Sequence, residues 1–370
     1  MKKLGFGCMR LPMINKETEQ IDYPHFIKMI DTYLANGFTY FDTAYMYHNY
    51  QSEIAVRECL VKRYPRERYY LADKLPLTHL KKEEDLEKIF NEQLEKTGVK
   101  YFDYYLLHNI NENTYPVLKK FPCFDFLLKL KNEKKVKKIG FSFHGSPEML
   151  EQVLHDYPFV DFVQLQINYL DWESKVIQAK KCYEIAANKY NKDIIVMETI
   201  KGGYLANLQK DIAKTLLEYN PNMSLASWAV RYVASLPKVI IALSGMSSLE
   251  QLKDNLSYMK EFVPLNDIEL QLIQKVVEQL NSLTYIPCTA CNYCKEGCPK
   301  KIAIPEYFSL YNSYKQKTID NFSSQSVYYH NLIANHGKAS DCIKCKKCEK
   351  SCPQHINITK YLEEVAKTFE

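Results

Sequence analysis

The chain has 370 residues, of which 46% are hydrophobic and 25% are charged, and its net charge is +5. This composition is typical of a soluble globular protein. The longest purely aliphatic runs have about five residues, whereas a membrane span needs roughly 20. No basic stripe interleaved with aromatic residues occurs, which argues against a nucleic-acid partner. No apolar segment follows the two lysines near the start, so we expect the chain to stay in the cytoplasm.

Short apolar runs alternate with longer amphipathic stretches over the first 283 residues. The runs are 4–9, 38–42, 69–74, 104–108, 138–143, 161–166, 193–198 and 239–243. Eight strands alternating with helices over this length predict an α/β fold, the (β/α)8 TIM barrel. A doubly wound open sheet is the alternative. It usually carries a Gly-rich turn after its first strand, and the sequence contains no GxGxxG.

Polar residues lie near the ends of five successive predicted strands. They are Asp42, Lys74, His108, Ser142 and Gln164. In a TIM barrel the C-terminal strand ends form the active-site face. We therefore expect these five side chains to share one pocket.

The sequence around these residues resembles the aldo-keto reductase family. The resemblance rests on Phe41-Asp42-Thr43-Ala44-x-x-Tyr47, on Lys74 and on Tyr105-Leu106-Leu107-His108, which look like the family's tetrad of Asp, Tyr, Lys and His. It extends from residue 1 to about residue 280, and it implies NAD(P)H as cofactor and a small carbonyl compound as substrate. It also implies a set of nucleotide-binding residues, namely Ser142, Gln164, Glu198, Gly245, Met246, Gln251, Asp254 and Asn255.

The chemistry of such a tetrad can be argued from its residue types. Hydride reduction of a carbonyl leaves negative charge on oxygen, so a proton donor must be at hand. A tyrosine hydroxyl has a pKa of about 10 and needs a nearby cation that favours the phenolate. We assign Tyr47 as the donor, Lys74 as the cation, Asp42 as the holder of the ammonium and His108 as the group that orients the carbonyl. The rival donors are Tyr45 and Tyr50. A structural ion pair between Asp42 and Lys74 is the non-catalytic alternative.

The nucleotide region departs from the family pattern. Phe143 stands where an Asn is expected, and Glu198 replaces the aromatic residue that stacks on nicotinamide. Gly245 and Gln251 occupy the positions at which NADP-preferring members carry Lys and Arg. Without a cation there, a 2′-phosphate loses its charge-assisted partners, which favours NAD over NADP.

The C-terminal segment repeats one cysteine motif. The first copy is Cys288, Cys291, Cys294 and Cys298, and the second is Cys342, Cys345, Cys348 and Cys352, each followed by proline. This spacing is that of [4Fe–4S] ferredoxins, in which the fourth cysteine ligates the other cluster. We therefore predict two clusters, one held by Cys288, Cys291, Cys294 and Cys352, the other by Cys342, Cys345, Cys348 and Cys298. The alternative is a zinc ribbon, which needs only two CxxC pairs. The four remaining cysteines, Cys8, Cys59, Cys123 and Cys182, are expected to be ordinary buried thiols.

The insert 299–341 between the motifs has apolar residues at three- and four-residue steps, which predict helices. The segment resembles the α-helical ferredoxin module, and the whole chain resembles the ferredoxin-bearing aldo-keto reductases. We expect a barrel over 1–283 and a small helical iron–sulfur domain over 284–370. Residues 286–370 contain twelve lysines and no arginine against eight acidic residues. This excess indicates either a solvated surface or a site for an acidic partner.

Three functions fit these features. The first is a carbonyl reductase that uses nicotinamide hydride. The second is an electron-transfer enzyme whose barrel holds a flavin or another two-electron centre, because a flavin exchanges both hydride and single electrons; such an enzyme would have an electron-transfer protein as partner. The third is a non-catalytic redox-sensing protein. The intact tetrad argues against the third.

Overall fold

The computed structural model describes residues 1–15, 20–283, 285–315 and 323–370. Thr284, the first residue of the predicted second domain, lies outside these ranges, so the exact domain boundary stays a prediction. No helix in the described part of the chain has the length and apolar character that a membrane crossing requires.

A closed parallel barrel forms the larger part of the molecule. The strands of the described residues are β1 (Leu4–Gly7), β2 (Met13–Asn15), β3 (Gln20–Ile21), β4 (Tyr40–Asp42), β5 (Tyr70–Pro76), β6 (Phe102–Ile110), β7 (Val136–Phe143), β8 (Phe162–Gln166), β9 (Asp193–Met197) and β10 (Val239–Ser244). β2 and β3 form a separate antiparallel pair. The other eight strands close into the barrel in chain order, because β1 pairs with both β4 and β10. The eight predicted strands are confirmed, and the open sheet is excluded.

The barrel interior explains why the polar residues meet. A buried apolar layer fills the barrel and includes Tyr40, Ala72, Leu106 and Phe162. Side chains along a strand alternate between its two faces, so the residue two positions later points to the same side. Two positions after these four residues come Asp42, Lys74, His108 and Gln164. Three tetrad candidates, Asp42, Lys74 and His108, therefore form the next layer together with Gln164, towards the C-terminal mouth.

Helices cover the outside of the barrel. They are α1 (Tyr23–Ala35), α2 (Ser52–Val56), α3 (Asp85–Thr97), α4 (Tyr115–Lys120), α5 (Cys123–Asn132), α6 (Pro147–Asp156), α7 (Ala179–Tyr183), α8 (Lys210–Leu217), α9 (Leu225–Ser235), α10 (Leu249–Met259) and α11 (Asp267–Ser282). α3 illustrates how the local sequence determines these helices. Its buried Leu86, Ile89, Phe90 and Gln93 lie at helical spacing on one face, and Gly98 ends it in the left-handed conformation (φ 72°).

The C-terminal domain is a duplicated unit. Its helices are α12 (Tyr293–Glu296), α13 (Ile304–Lys315), α14 (Ser324–Ile333), α15 (Lys347–Lys350) and α16 (Ile358–Phe369). α12 and α15 occupy matching places in the two cysteine motifs, and α13 and α16 follow them at matching distances. α14 lies between the copies, in the insert that was predicted to be helical. The apolar core of this domain is continuous with that of the barrel.

Candidate active site and cluster sites

A buried ion pair lies at the centre of the barrel mouth. Lys74 Nζ donates hydrogen bonds to Asp42 Oδ1 and to the Thr43 carbonyl, the latter at 2.7 Å. Gln164 Nε2 donates to the other carboxylate oxygen of Asp42 at 3.0 Å. Burial alone would lower the pKa of Lys74, but Asp42 and Tyr47 together raise it. The ammonium is therefore charged at neutral pH although it is buried.

Tyr47 lies in the loop after β4, with the centre of its ring 4.8 Å from Lys74 Nζ. The ring meets that of His108 nearly at right angles, with 6.0 Å between centroids. Burial raises the pKa of the Tyr47 hydroxyl, and the charge of Lys74 lowers it only in part. In the folded protein burial has the larger effect, so the hydroxyl keeps its proton at neutral pH.

The two rival tyrosines face other groups. The Tyr45 hydroxyl donates to the carboxylate of Glu92 on α3, at 3.1 Å to Oε2. The Tyr50 hydroxyl is hydrogen bonded to His79 Nε2 at 3.1 Å, and its side chain is 42% exposed. Of the three tyrosines, Tyr47 is the one that adjoins both Lys74 and His108.

His108 supplies a polar atom that no described residue satisfies. Its Nδ1 is buried and has no hydrogen-bond partner within the described ranges. Burial, and then the charge of Lys74, lower the pKa of His108 well below its ordinary value, so the ring is neutral at physiological pH. A buried polar atom without a partner is costly. A bound molecule could form the missing hydrogen bond with Nδ1, which suits the predicted role of His108 in orienting a substrate.

Two carboxyl groups that the sequence argument missed lie directly behind the tetrad. Asp73 precedes Lys74 on β5 and points to the opposite side of the strand, where it meets Glu53 of α2. Both residues are fully buried, and the nearest cation, Lys96 Nζ, stands 3.6 Å from Glu53 Oε2. Burial raises the pKa of Glu53 to about 7 and that of Asp73 well above its usual range. We interpret the pair as sharing a proton.

The structure adds one residue to the predicted nucleotide region. Arg10 lies in the turn after β1, and its Nη1 donates to the Gly202 carbonyl at 3.2 Å. Its side chain also covers Gly245, where an added Cβ would come within 3.1 Å of Arg10 Cδ. A cation thus lies near Gly245, supplied by a residue far away in the sequence. The residues are remote in sequence but follow neighbouring strands of the barrel, β1 and β10.

The other predicted nucleotide residues make contacts within the protein. Asn109 N donates to Ser142 Oγ at 2.7 Å, and Met246 is buried. Ser247 N donates to Gln251 Oε1 at 2.8 Å, which braces the start of α10. Asp254 accepts from Ser224 Oγ at 2.8 Å and so faces α9. Asn255 Nδ2 donates to the Gln251 carbonyl, whereas its buried Oδ1 has no partner among the described residues.

A second buried polar group, also missed by sequence reasoning, lies across the mouth. Lys201 pairs with Asp171, and both are nearly inaccessible to solvent. Asn168 Nδ2 donates to Asp171 Oδ2 at 2.8 Å and to the Glu198 carbonyl at 3.2 Å. Glu198 itself adopts a left-handed conformation with φ 58°. These contacts hold the loops after β8 and β9 together.

Helix α14 of the C-terminal domain lies against this mouth. Asn331 Nδ2 donates to the His144 carbonyl just after β7, and Asn113 Nδ2 donates to Asn331 Oδ1, both at 2.9 Å. The ring of Tyr328 stands 6.1 Å from that of His144 and is buried. Burial and then the charges of Cys182 and Asp171 raise the pKa of Tyr328. The insert between the cysteine motifs thus contacts the same face of the barrel as the tetrad.

The eight motif cysteines line two hollows. One, of about 320 Å³, is bordered by Cys288, Cys291, Cys294 and Cys352; the other, of about 310 Å³, is bordered by Cys298, Cys342, Cys345 and Cys348. Each hollow takes three thiols from one motif and the fourth from the other, as expected for cross-ligation. In the described part of the chain, no three or more Cys, His, Asp or Glu side chains converge on one point as they would around a single ion. The four cysteines outside the motifs are buried.

The backbone repeats itself around the two hollows. Ala290 and Asn292 of the first loop are left-handed, with φ 55° and 67°, and so are Lys344 and Lys346 of the second, with φ 57° and 58°. Such conformations are unfavourable for residues with a side chain. Their occurrence at matching positions indicates that both loops wrap the same kind of object. Thiolates around a hollow with apolar walls fit a [4Fe–4S] cluster.

Comparison with known proteins also divides the chain into a barrel and an iron–sulfur region. Residues 3–278 match the model of the Aldo/keto reductase family, and residues 287–357 match a 4Fe-4S dicluster domain. A probable aldo-keto reductase 1 of Glycine max is 30% identical over 181 residues, which are 46% of this chain and 49% of that protein. One component of an ion-translocating oxidoreductase complex of Buchnera aphidicola is 31% identical over 84 residues, 23% of this chain and 15% of that protein. Each match thus spans half or less of the relative.

Solved structures show the same barrel. The holo form of the aldo-keto reductase AKR11C1 from Bacillus halodurans superposes with a TM-score of 0.60 at 23% identity, covering 74% of this chain and 91% of that one. An aldo-keto reductase from Klebsiella pneumoniae in complex with NADPH superposes with a TM-score of 0.58 at 19% identity, covering 75% and 95%. At these identities the likeness shows the fold.

Proposed function

Because the chain belongs to the aldo/keto reductase family and continues into a 4Fe-4S dicluster domain, we propose that it is an iron–sulfur oxidoreductase that reduces a carbonyl compound with NAD(P)H. The observation that carries the proposal is the group formed by Tyr47, the Lys74–Asp42 pair and His108 at the barrel mouth. A structural ion pair alone does not require a protonated tyrosine and an unsatisfied imidazole nitrogen beside it.

The side chains divide the chemistry among them. The Tyr47 hydroxyl donates its proton to the substrate oxygen as negative charge develops there. Lys74 stabilises the resulting phenolate, and Asp42 keeps the ammonium in place through a hydrogen bond that Gln164 supports from the other oxygen. The neutral His108 ring donates a hydrogen bond to the carbonyl oxygen and so orients it. Bound NAD(P)H supplies the hydride.

The nucleotide region offers groups that suit a dinucleotide. The N-terminus of α10, capped by Ser248, attracts phosphate. Arg10 adds a guanidinium next to Gly202, with its aliphatic part against Gly245, and the buried Oδ1 of Asn255 can accept a hydrogen bond. The preference for NAD rested on the absence of a cation here. Arg10 removes part of that basis, so we propose NAD(P)H and compare both nucleotides in the experiment below.

The two hollows of the C-terminal domain would hold two [4Fe–4S] clusters through the eight motif cysteines. Bound clusters would supply one-electron storage beside a two-electron site. α14 connects the regions, because it contacts the barrel mouth through Tyr328 and Asn331 and lies in the insert between the motifs. We further propose that the clusters exchange electrons with a protein partner.

A flavin in the barrel is the second candidate. It is favoured by the acidic Glu198 at the position of the stacking aromatic residue and by the contact of the cluster domain with the barrel mouth. A flavin would join hydride chemistry to the one-electron clusters. The substrate would then be a quinone, an enone or a partner protein.

The test is anaerobic purification followed by total iron, extraction of bound cofactors and a visible spectrum. About eight irons per chain without flavin, and oxidation of NADH or NADPH by aldehydes, are the results expected for the carbonyl reductase. About eight irons with a bound flavin would replace it by the second candidate. Fewer than about four irons would contradict both, since each candidate requires the clusters.

A further inference from the structure

The two cysteine loops share their backbone but not their charge. Between its first and last cysteine the loop 288–298 contains one lysine, Lys295, which is paired with Glu306 of α13. The loop 342–352 contains four lysines and one glutamate. The glutamate, Glu349, accepts hydrogen bonds from the backbone N–H and the hydroxyl of Thr359, at 2.9 and 2.7 Å. The second loop is therefore the basic one.

Basic residues lie in the lining of the second hollow and next to it in the sequence. Lys300 and Lys346 border it, whereas the first hollow has no charged residue in its lining. Among the described side chains none of the exposed lysines around the second hollow has an acidic partner within ion-pair distance, apart from Lys344, which pairs with Glu363 at 2.6 Å. These unpaired lysines are Lys300, Lys301, Lys346, Lys347 and Lys350. Lys300 and Lys346 line the hollow, and the other three lie within four residues of them along the chain. We call these five lysines the cationic rim.

An apolar residue and a cluster ligand lie inside this rim. Ile343 is 59% exposed, and Cys345 is exposed as well. The first loop also exposes an apolar side chain, Tyr293, but without free cations around it among the described residues. An apolar centre within a charged rim is the usual arrangement of a protein contact surface. An exposed ligand also brings the edge of a bound cluster close to a docked partner.

We propose that the surface formed by Ile343, Cys345 and the five rim lysines is the docking site of an acidic one-electron carrier protein of the flavodoxin or ferredoxin type. The inference rests on the proposed function, since it assumes that the clusters are present. Cys298, Cys342, Cys345 and Cys348 would hold the cluster that accepts the electron. The carrier would lose one electron and the cluster would gain it, with no bond formed or broken and no proton moved. Charge complementarity steers the encounter.

The test uses the holoprotein and a reduced acidic flavodoxin. Its anionic hydroquinone gives up one electron to become the semiquinone, whose absorbance is followed by stopped flow at several salt concentrations. We expect the double variant Lys347→Glu, Lys350→Glu to slow this step by roughly tenfold or more at low salt. The difference should disappear at high salt. Replacing the same two lysines by glutamine should lower the logarithm of the rate constant by about half as much, because it removes the two positive charges without adding negative ones.

The control variant reverses the charge of two exposed lysines on the outside of the barrel, Lys210→Glu and Lys275→Glu. It changes the net charge by the same amount as the loop variant. Total iron and reduction by dithionite should match the wild type in every variant. Equal rates for the loop variant and the wild type, or an equal loss in the control, would overturn the docking site. Lack of the two clusters in the wild type would instead overturn the proposed function.

Discussion

The barrel mouth and the cysteine loops are built in opposite ways. In the mouth, the protein supplies most of the partners: Asp42 and the Thr43 carbonyl hold Lys74, and Gln164 holds Asp42. Around the hollows, the thiols converge from two motifs, and the chain adopts left-handed conformations at non-glycine residues. The first site is thus held together mainly by groups of the protein itself. At the cysteine loops, a bound cluster, as proposed, would explain why the thiols converge and why the left-handed conformations occur.

This difference leads to different expectations for substitutions. A change in the mouth should remove chemistry while the fold and the iron remain, because the surrounding barrel is closed and its core is apolar. A change in the loops should remove iron, and with it local structure, because metal binding and folding are coupled.

The largest effect should come from Tyr47→Phe. It removes the proposed proton donor, and general acid catalysis contributes about a hundredfold to ten-thousandfold, so we expect kcat to fall by roughly a thousandfold. Total iron and the visible spectrum should stay the same. The matched control is Tyr45→Phe, because the Tyr45 hydroxyl faces Glu92. Unchanged turnover in the Tyr47 variant, or an equal loss in the control, would reassign the donor.

The next effect should come from Cys298→Ser. If ligation crosses between the motifs, this variant loses the cluster of Cys342, Cys345 and Cys348 and keeps that of Cys288, Cys291 and Cys294. Iron should fall from about eight to about four per chain. The electron paramagnetic resonance signal of the remaining reduced cluster should match that of Cys345→Ser and differ from that of Cys291→Ser. A match to Cys291→Ser would show that each motif holds its own cluster.

The smallest effect should be a pH-dependent change in stability on Glu53→Gln. Burial raises the pKa of Glu53 to about 7 from an ordinary value near 4.5. The folded chain therefore binds more protons than the unfolded chain between these values, and the wild type loses stability as the pH rises through this window. The variant lacks much of this loss, so its free energy of unfolding relative to the wild type should rise by about 2 kcal/mol between pH 5 and pH 8.

Anaerobic denaturant titration at both pH values measures this difference. Asp31→Asn is the control: the hydrogen bond to Arg63 lowers the pKa of Asp31, so its contribution is lost only at more acidic pH and stays constant across the window. A Glu53 variant that follows the wild type at both pH values would contradict the shared proton.

The sequence alone determined the features that depend on regular spacing. Alternating apolar runs predicted the eight barrel strands, and the repeated cysteine spacing predicted two metal loops separated by helices. The tetrad candidates could be found because residues such as Asp42 and Lys74 lie near the ends of successive predicted strands, which form one face of a TIM barrel. The motifs around them also resemble those of the aldo-keto reductases. The competition between Tyr45, Tyr47 and Tyr50 could not be decided this way, since all three lie in one loop without a repeating pattern.

Tertiary structure decided the contacts between segments that are remote along the chain. Arg10 reaches Gly245 because β1 and β10 are neighbours in the closed barrel. No local sequence pattern predicts this contact. Asp73 meets Glu53, and Tyr328 reaches His144, only after the helices have packed. Burial raises the pKa of both Tyr47 and Glu53. This effect arises only in the folded chain, because desolvation depends on all the neighbours of a group and not on its place in the sequence.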